Sequence, residues 1–85
     1  MNENANTTLS VYPNPAVSET FVTLTNAGMH EVSVYDMQGR MVGTMNVEAV
    51  AGEQVRISTI ELTAGVYFIN VKSENAVSTA KLVVK

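Results

Sequence analysis

The chain has 85 residues, of which 46% are hydrophobic and 15% charged, with a formal net charge of −3. One small globular domain accounts for that length, and a chain this short buries only about 60–65% of the surface its unfolded form exposes, which argues against a deep, walled active site. Zero cysteines exclude disulfides, thiolate metal sites and thiol nucleophiles, while five scattered basic residues among eight acids offer no stripe for nucleic acid.

Valine (14), isoleucine (3) and threonine (9) supply 26 of the 85 residues, and branching at Cβ favours pleated strands over helices. Residues 1–8 are polar and read as a linker behind an added initiator methionine, with the domain at 9–85 and no signal peptide in this piece. No apolar run approaches the roughly 18 residues that a spanning helix needs, so membrane insertion is not expected.

The first strand is expected over 8–12, closed by Pro13-Asn14-Pro15, where two prolines remove ladder donors. A second follows over 19–25, with Val22 and Leu24 on one face and Phe21 on the threonine face. The third, over 30–37, alternates Val32 and Val34 with Glu31 and Ser33 and ends in Asp36-Met37-Gln38-Gly39, a type I hairpin turn with Gly39 at its last position. The fourth runs from Arg40 to about Val47, with Gly43 marking a bulge or a close backbone approach, and 48–53 reads as a loop.

Gln54 to Ser58 alternates as a fifth strand, and Leu62 plugs the core from the crossing that follows. A sixth strand over 66–72, apolar on both faces at first, reads as central, and a seventh covers 77–84. Together these predict an all-β, seven-stranded antiparallel immunoglobulin-like β-sandwich with Greek-key connections, a small open barrel being the alternative.

Signs of chemistry are sparse. His30 is the single histidine and reads as an exposed strand residue without triad partners, while Glu48 and Glu53 lack calcium-loop spacing, so no catalytic residue, metal or cofactor is expected. Asn6-Thr7-Thr8 matches a glycosylation sequon in what reads as linker, a chance match. Ser58 to Glu61 has capping-box spacing and reads as a local turn. Met29, Met37, Met41 and Met45 gather on one hairpin, as gap-fillers of the core or as a soft contact surface. The final strand, Lys81, Leu82, Val83, Val84 and Lys85, reads equally as an ordinary terminal strand or as an edge that another protein grips by strand addition. An uncovered edge also leaves room for a weak homodimer.

Four blocks in order, Val11-Tyr12-Pro13-Asn14-Pro15, Val34 to Val42 (VYDMQGRMV), Leu62 to Phe68 (LTAGVYF) and Lys81 to Lys85 (KLVVK), closely resemble the type IX secretion C-terminal sorting domains of Bacteroidetes such as Porphyromonas. The resemblance implies a non-catalytic address label that carries a cargo through the periplasm to the outer-membrane surface or the medium. Its implied partners are the type IX translocon, an outer-membrane shuttle barrel and a sortase. Carried onto this chain, Lys81, Leu82, Val83, Val84 and Lys85 are the expected recognition segment, and the sortase cut falls around Asn4, Ala5, Asn6, Thr7 and Thr8. Pro13, Pro15, Gly39 and Gly65 are expected to shape turns without touching a partner. The competing reading is a structural or adhesive immunoglobulin-like module that binds through its loops.

Overall fold

The structure, a computed structural model, describes residues 6–74 and 76–85. It is all β, with two sheets packed face to face. In chain order the strands are β1 (Asn6–Thr8), β2 (Ser10–Tyr12), β3 (Glu19–Thr23), β4 (Gly28–Tyr35), β5 (Met41–Ala49), β6 (Gln54–Ser58), β7 (Gly65–Lys72) and β8 (Val77–Val84). One sheet has the order β1-β8-β7-β4-β5 and the other β2-β3-β6. The strands pair antiparallel except β1, which runs parallel to β8, and the isolated Ala16–Val84 bridge is parallel too. The expected immunoglobulin-like sandwich is therefore the observed fold, and β7 is a central strand.

Alternation explains the core. Val22 from β3, Val32 from β4, Ile69 from β7 and Leu82 from β8 are all essentially inaccessible; of the residues beside them in the chain, Glu31, Phe68 and Lys81 are exposed and Ser33 is buried. Leu62 packs against this cluster from the β6–β7 crossing, as its position in the sequence implied. Phe21 faces away from it and stacks obliquely near Tyr12, with ring centroids 6.2 Å apart.

Four local expectations are corrected. The single strand expected over 8–12 is split at Leu9, whose buried side chain drops between the sheets, so that β1 pairs in one sheet and β2 in the other. Asn6–Thr8, assigned to a linker from the sequence, lie in β1, while residues 1–5 of that expected linker lie outside the described residues. The ladder extends β5 to Ala49, opposite Gly28, so the expected loop begins only at Val50. His30 is 3% exposed on the inner face, where its Nδ1 lies 2.9 Å from the Gly28 carbonyl oxygen. It is no solvent-facing residue, because Val32 and Val34 set the same inward parity.

The bulge expected at Gly43 is present one position earlier. Val34 pairs with Gly43 and Tyr35 with Met41, leaving Val42 as the extra residue. At the β6–β7 crossing the capping-box spacing yields only a turn, in which the Leu62 N–H donates to the Thr59 carbonyl at 3.0 Å.

Tyr67 ties that crossing down. Its hydroxyl donates to the Thr63 carbonyl at 2.7 Å and lies 3.2 Å from the Thr63 Oγ1, while the ring is only 6% exposed. This is the tyrosine-corner arrangement of Greek-key sandwiches, in which a buried phenol secures a backbone carbonyl four residues upstream. Tyr67→Phe leaves that carbonyl without its donor and should lower stability by about 1–2 kcal/mol while preserving the β spectrum, measured by urea unfolding with circular dichroism.

Candidate functional site: the last strand and its clasp

The last five residues form two rows. Leu82 and Val84 point into the core, at 0% and 3% exposure, whereas Lys81 and Lys85 are exposed and Val83 is half-buried on the opposite face. Of the expected recognition segment, then, only Lys81, Val83 and Lys85 present side chains outward. On one side β8 is bonded to β7, with Tyr67 opposite Leu82 and Gly65 opposite Val84.

Its other side is not a free edge. The first part of β8 carries β1, Asn6 to Thr8 pairing with Val77 to Thr79. The last part is covered by residues 13–16. The Asn14 Nδ2 donates to the Lys81 carbonyl at 2.9 Å, and its Oδ1 accepts from the Val83 N–H at 3.0 Å. Two residues on, the Ala16 N–H donates to the Val83 carbonyl at 2.7 Å and the Ala16 carbonyl accepts from the Lys85 N–H at 2.9 Å. Strand addition along this edge is thus pre-empted by the chain itself.

The sequence dictates how the clasp works. Proline has no N–H, so Pro13 and Pro15 contribute no main-chain donor to a neighbouring strand. A primary amide carries both a donor and an acceptor, and the Asn14 side chain uses one of each to replace the missing peptide contacts. Both X–Pro bonds of the motif, Tyr12–Pro13 and Asn14–Pro15, are cis. The Pro13 carbonyl is held by the Thr20 Oγ1, a 3.0 Å bond from a fully buried hydroxyl, and Ala16 is itself inaccessible to solvent. Reading the two prolines as a strand terminator missed Asn14 and Ala16. The available signal was an amide side chain flanked by residues that cannot donate.

The second block forms the β4–β5 turn. Asp36 Oδ1 accepts from the Gln38 and Arg40 N–H groups, both at 2.9 Å, and Oδ2 accepts from Arg40 Nε at 3.0 Å. The Gly39 N–H closes the turn on the Asp36 carbonyl. Gly39 has φ +85°, and nothing lies within 4 Å of where a Cβ would stand, so conformation and not space selects glycine there. The Arg40 N–H, followed by the Arg40 guanidinium and the Gln38 N–H, holds the Asp36 carboxyl below its usual range against a push upward from burial. Gly65 opens β7 beside the tyrosine corner.

Other expected positions remain apart from this site. Asn4 and Ala5 lie outside the described residues, and Asn6, Thr7 and Thr8 form β1. No cluster of three or more metal-ligating side chains occurs among the described residues, and no described helix could cross a membrane. The four methionines are exposed by 38–68%, which corrects the expectation that they fill core gaps.

A scan against protein families matches the family described as the secretion system C-terminal sorting domain over residues 10–85. The chain belongs to this family. Its sandwich is a type IX sorting domain, and the match begins at the first residue of β2 and takes in the clasp, the Asp36 turn, the tyrosine corner and the last strand. No curated protein matches the chain. A sorting domain of this kind acts as a secretion signal and belongs to a protein passing to the cell surface or the extracellular space, in contact with the type IX machinery.

Two outcomes check this geometry. Asn14→Ala should speed amide hydrogen exchange at Val83 by about tenfold while amides of β7 stay protected, measured by exchange with NMR detection. For Asp36, a lowered carboxyl value in the folded state means that its stabilisation is present above the ordinary aspartate range and is lost as pH falls through the lowered value. Asp36→Asn should therefore be less stable than the parent at pH 7, with the gap narrowing as pH falls below the ordinary aspartate range, as read from urea midpoints.

Proposed function

We propose that the sorting domain is a non-catalytic address label whose readable part is the outward row Lys81, Val83 and Lys85, presented on a folded sandwich. The observation that supports this most is the sealed edge of the last strand. With its main-chain groups engaged by Asn14 and Ala16, side chains are what the segment offers a partner. The type IX translocon reads that row, and an outer-membrane shuttle barrel carries the cargo onward from the periplasm.

A sortase then separates the cargo from the domain in the region of Asn4, Ala5, Asn6, Thr7 and Thr8. Proteolytic enzymes take their substrates as free extended chain, whereas Asn6 to Thr8 are engaged in the ladder with β8. The cut therefore falls ahead of β1, at Asn4 or Ala5. Pro13, Pro15, Gly39 and Gly65 act on the fold alone.

Deleting residues 81–85 is a poor test, because it also removes the buried Leu82 and Val84 and costs several kcal/mol of core packing, roughly 4–8 by large-to-small precedent. The better variant combines Lys81→Glu with Lys85→Glu on exposed positions. In a type IX-competent host, a reporter fused ahead of the charge-reversed domain should accumulate in the periplasm, while the isolated variant melts within about 3 °C of the parent. Normal surface delivery of that fusion would count against recognition through this row.

A further inference from the structure

The face of the larger sheet that points away from the smaller one changes character along its strands. Register sets Lys81 of β8, Phe68 of β7 and Tyr35 of β4 side by side in one row, and Val83 stands opposite Val66 in the next row on that face. Phe68 is 39% exposed in the middle of the sheet, with Tyr35, Val66 and Val83 half-buried around it. Toward the other end the same face is polar. Thr79, Asn70, Ser33 and Thr44 form an uncharged row, in which Asn70 Nδ2 donates to Thr79 Oγ1 at 3.2 Å and the Ser33 and Thr44 hydroxyls lie 3.4 Å apart. Beyond it Lys72 stands opposite Glu31. That half is what the solvated side of an antiparallel sheet ordinarily shows, and the aromatic half is not.

Charge on the aromatic half has one sign. Lys81 lies in the Phe68 row and Lys85 two positions beyond Val83, and neither forms an ion pair among the described residues. The two rows contain no acid, although the chain as a whole carries a net charge of −3. Asp36, next to Tyr35, already engages its carboxylate with Arg40 and Gln38. Four positions along a strand place the two lysines about 13 Å apart. A second copy of this face would bring lysines to lysines. Two cations are also fewer than the four to eight that hold a polybasic segment on an anionic membrane. Apolar surface bordered by carboxylates is the complement that remains.

We propose that Phe68, Tyr35, Val66 and Val83, together with Lys81 and Lys85, form a docking surface for an acidic protein partner, which sets an apolar side chain against Phe68 and carboxylates against the two lysines. This rests on the reading of Lys81, Val83 and Lys85 as the recognised row and extends it inward across β7 to β4. Burial of the aromatic ring supplies affinity, and the lysines supply orientation.

In a type IX-competent host, surface delivery of a reporter fused ahead of the domain should fall at least about fivefold for Phe68→Thr and stay near the parental level for Phe68→Leu, which keeps an apolar side chain there. Lys81→Gln combined with Lys85→Gln should lower delivery comparably, while Lys81→Arg combined with Lys85→Arg should sustain it, because positive charge is what an acidic partner reads. Lys72→Ala, on the polar half of the face, should be delivered normally. Threonine suits a strand, so Phe68→Thr should fold; should it not, Val66→Thr, close to valine in shape, should lower delivery about twofold and decides the matter. The isolated domain should not bind vesicles containing about 30% phosphatidylserine. Normal delivery of a folded Phe68→Thr, equal losses in the glutamine and arginine pairs, a comparable loss in Lys72→Ala, or vesicle binding would overturn the proposal. A stalled charge-reversed lysine pair beside a normally delivered Phe68→Thr removes only the aromatic extension, whereas normal delivery of both removes the recognised row as well.

Discussion

Four hydrogen bonds between residues 13–16 and the last strand, two from the Asn14 amide and two from the Ala16 peptide, bring together segments almost seventy positions apart. Everything from β3 to β7 lies between them in the chain, so this contact closes the sandwich. A chain with no cysteine has no covalent means of doing so. It relies instead on a polar side chain acting as a peptide surrogate where two prolines have removed the donors. The first and last motifs of the family resemblance are thus one structural unit.

That closure shapes what the domain offers to others. A terminal strand with a bare edge would pair with any extended chain it met, during export or before it. Here the backbone of the strand is engaged on both sides, Leu82 and Val84 are committed to the core, and Lys81, Val83 and Lys85 remain as surface. The opposite end of the same sheet is open, and the exposed Met41 and Met45 lie on a strand with no outer partner among the described residues. One sheet therefore has a covered margin at β8 and, among the described residues, an unpaired one at β5.

Between these margins, short-range chemistry holds the turns. Asp36 saturates its carboxylate on groups within four residues, with Gly39 supplying the positive φ that the turn requires. Tyr67 reaches back four residues to Thr63. The Asp36 contacts depend on spacing alone, which is why that turn could be read directly from the sequence. Tyr67 was legible only as an apolar strand residue, because a phenol's hydrogen-bond partner is decided by which face of the strand is buried.

The sequence by itself determined the strand content, the shared faces of Val22 with Leu24 and of Val32 with Val34, the β4–β5 turn and membership of the family, because alternation, turn chemistry and motif order are local properties of the chain. Tertiary structure alone decided that Asn14 clasps Val83, that β1 and β2 enter different sheets, that His30 is buried, and that β8 is covered while β5 has no outer partner among the described residues. Each of these depends on which strands become neighbours, and alternation specifies the face a residue takes without specifying the strand beside it.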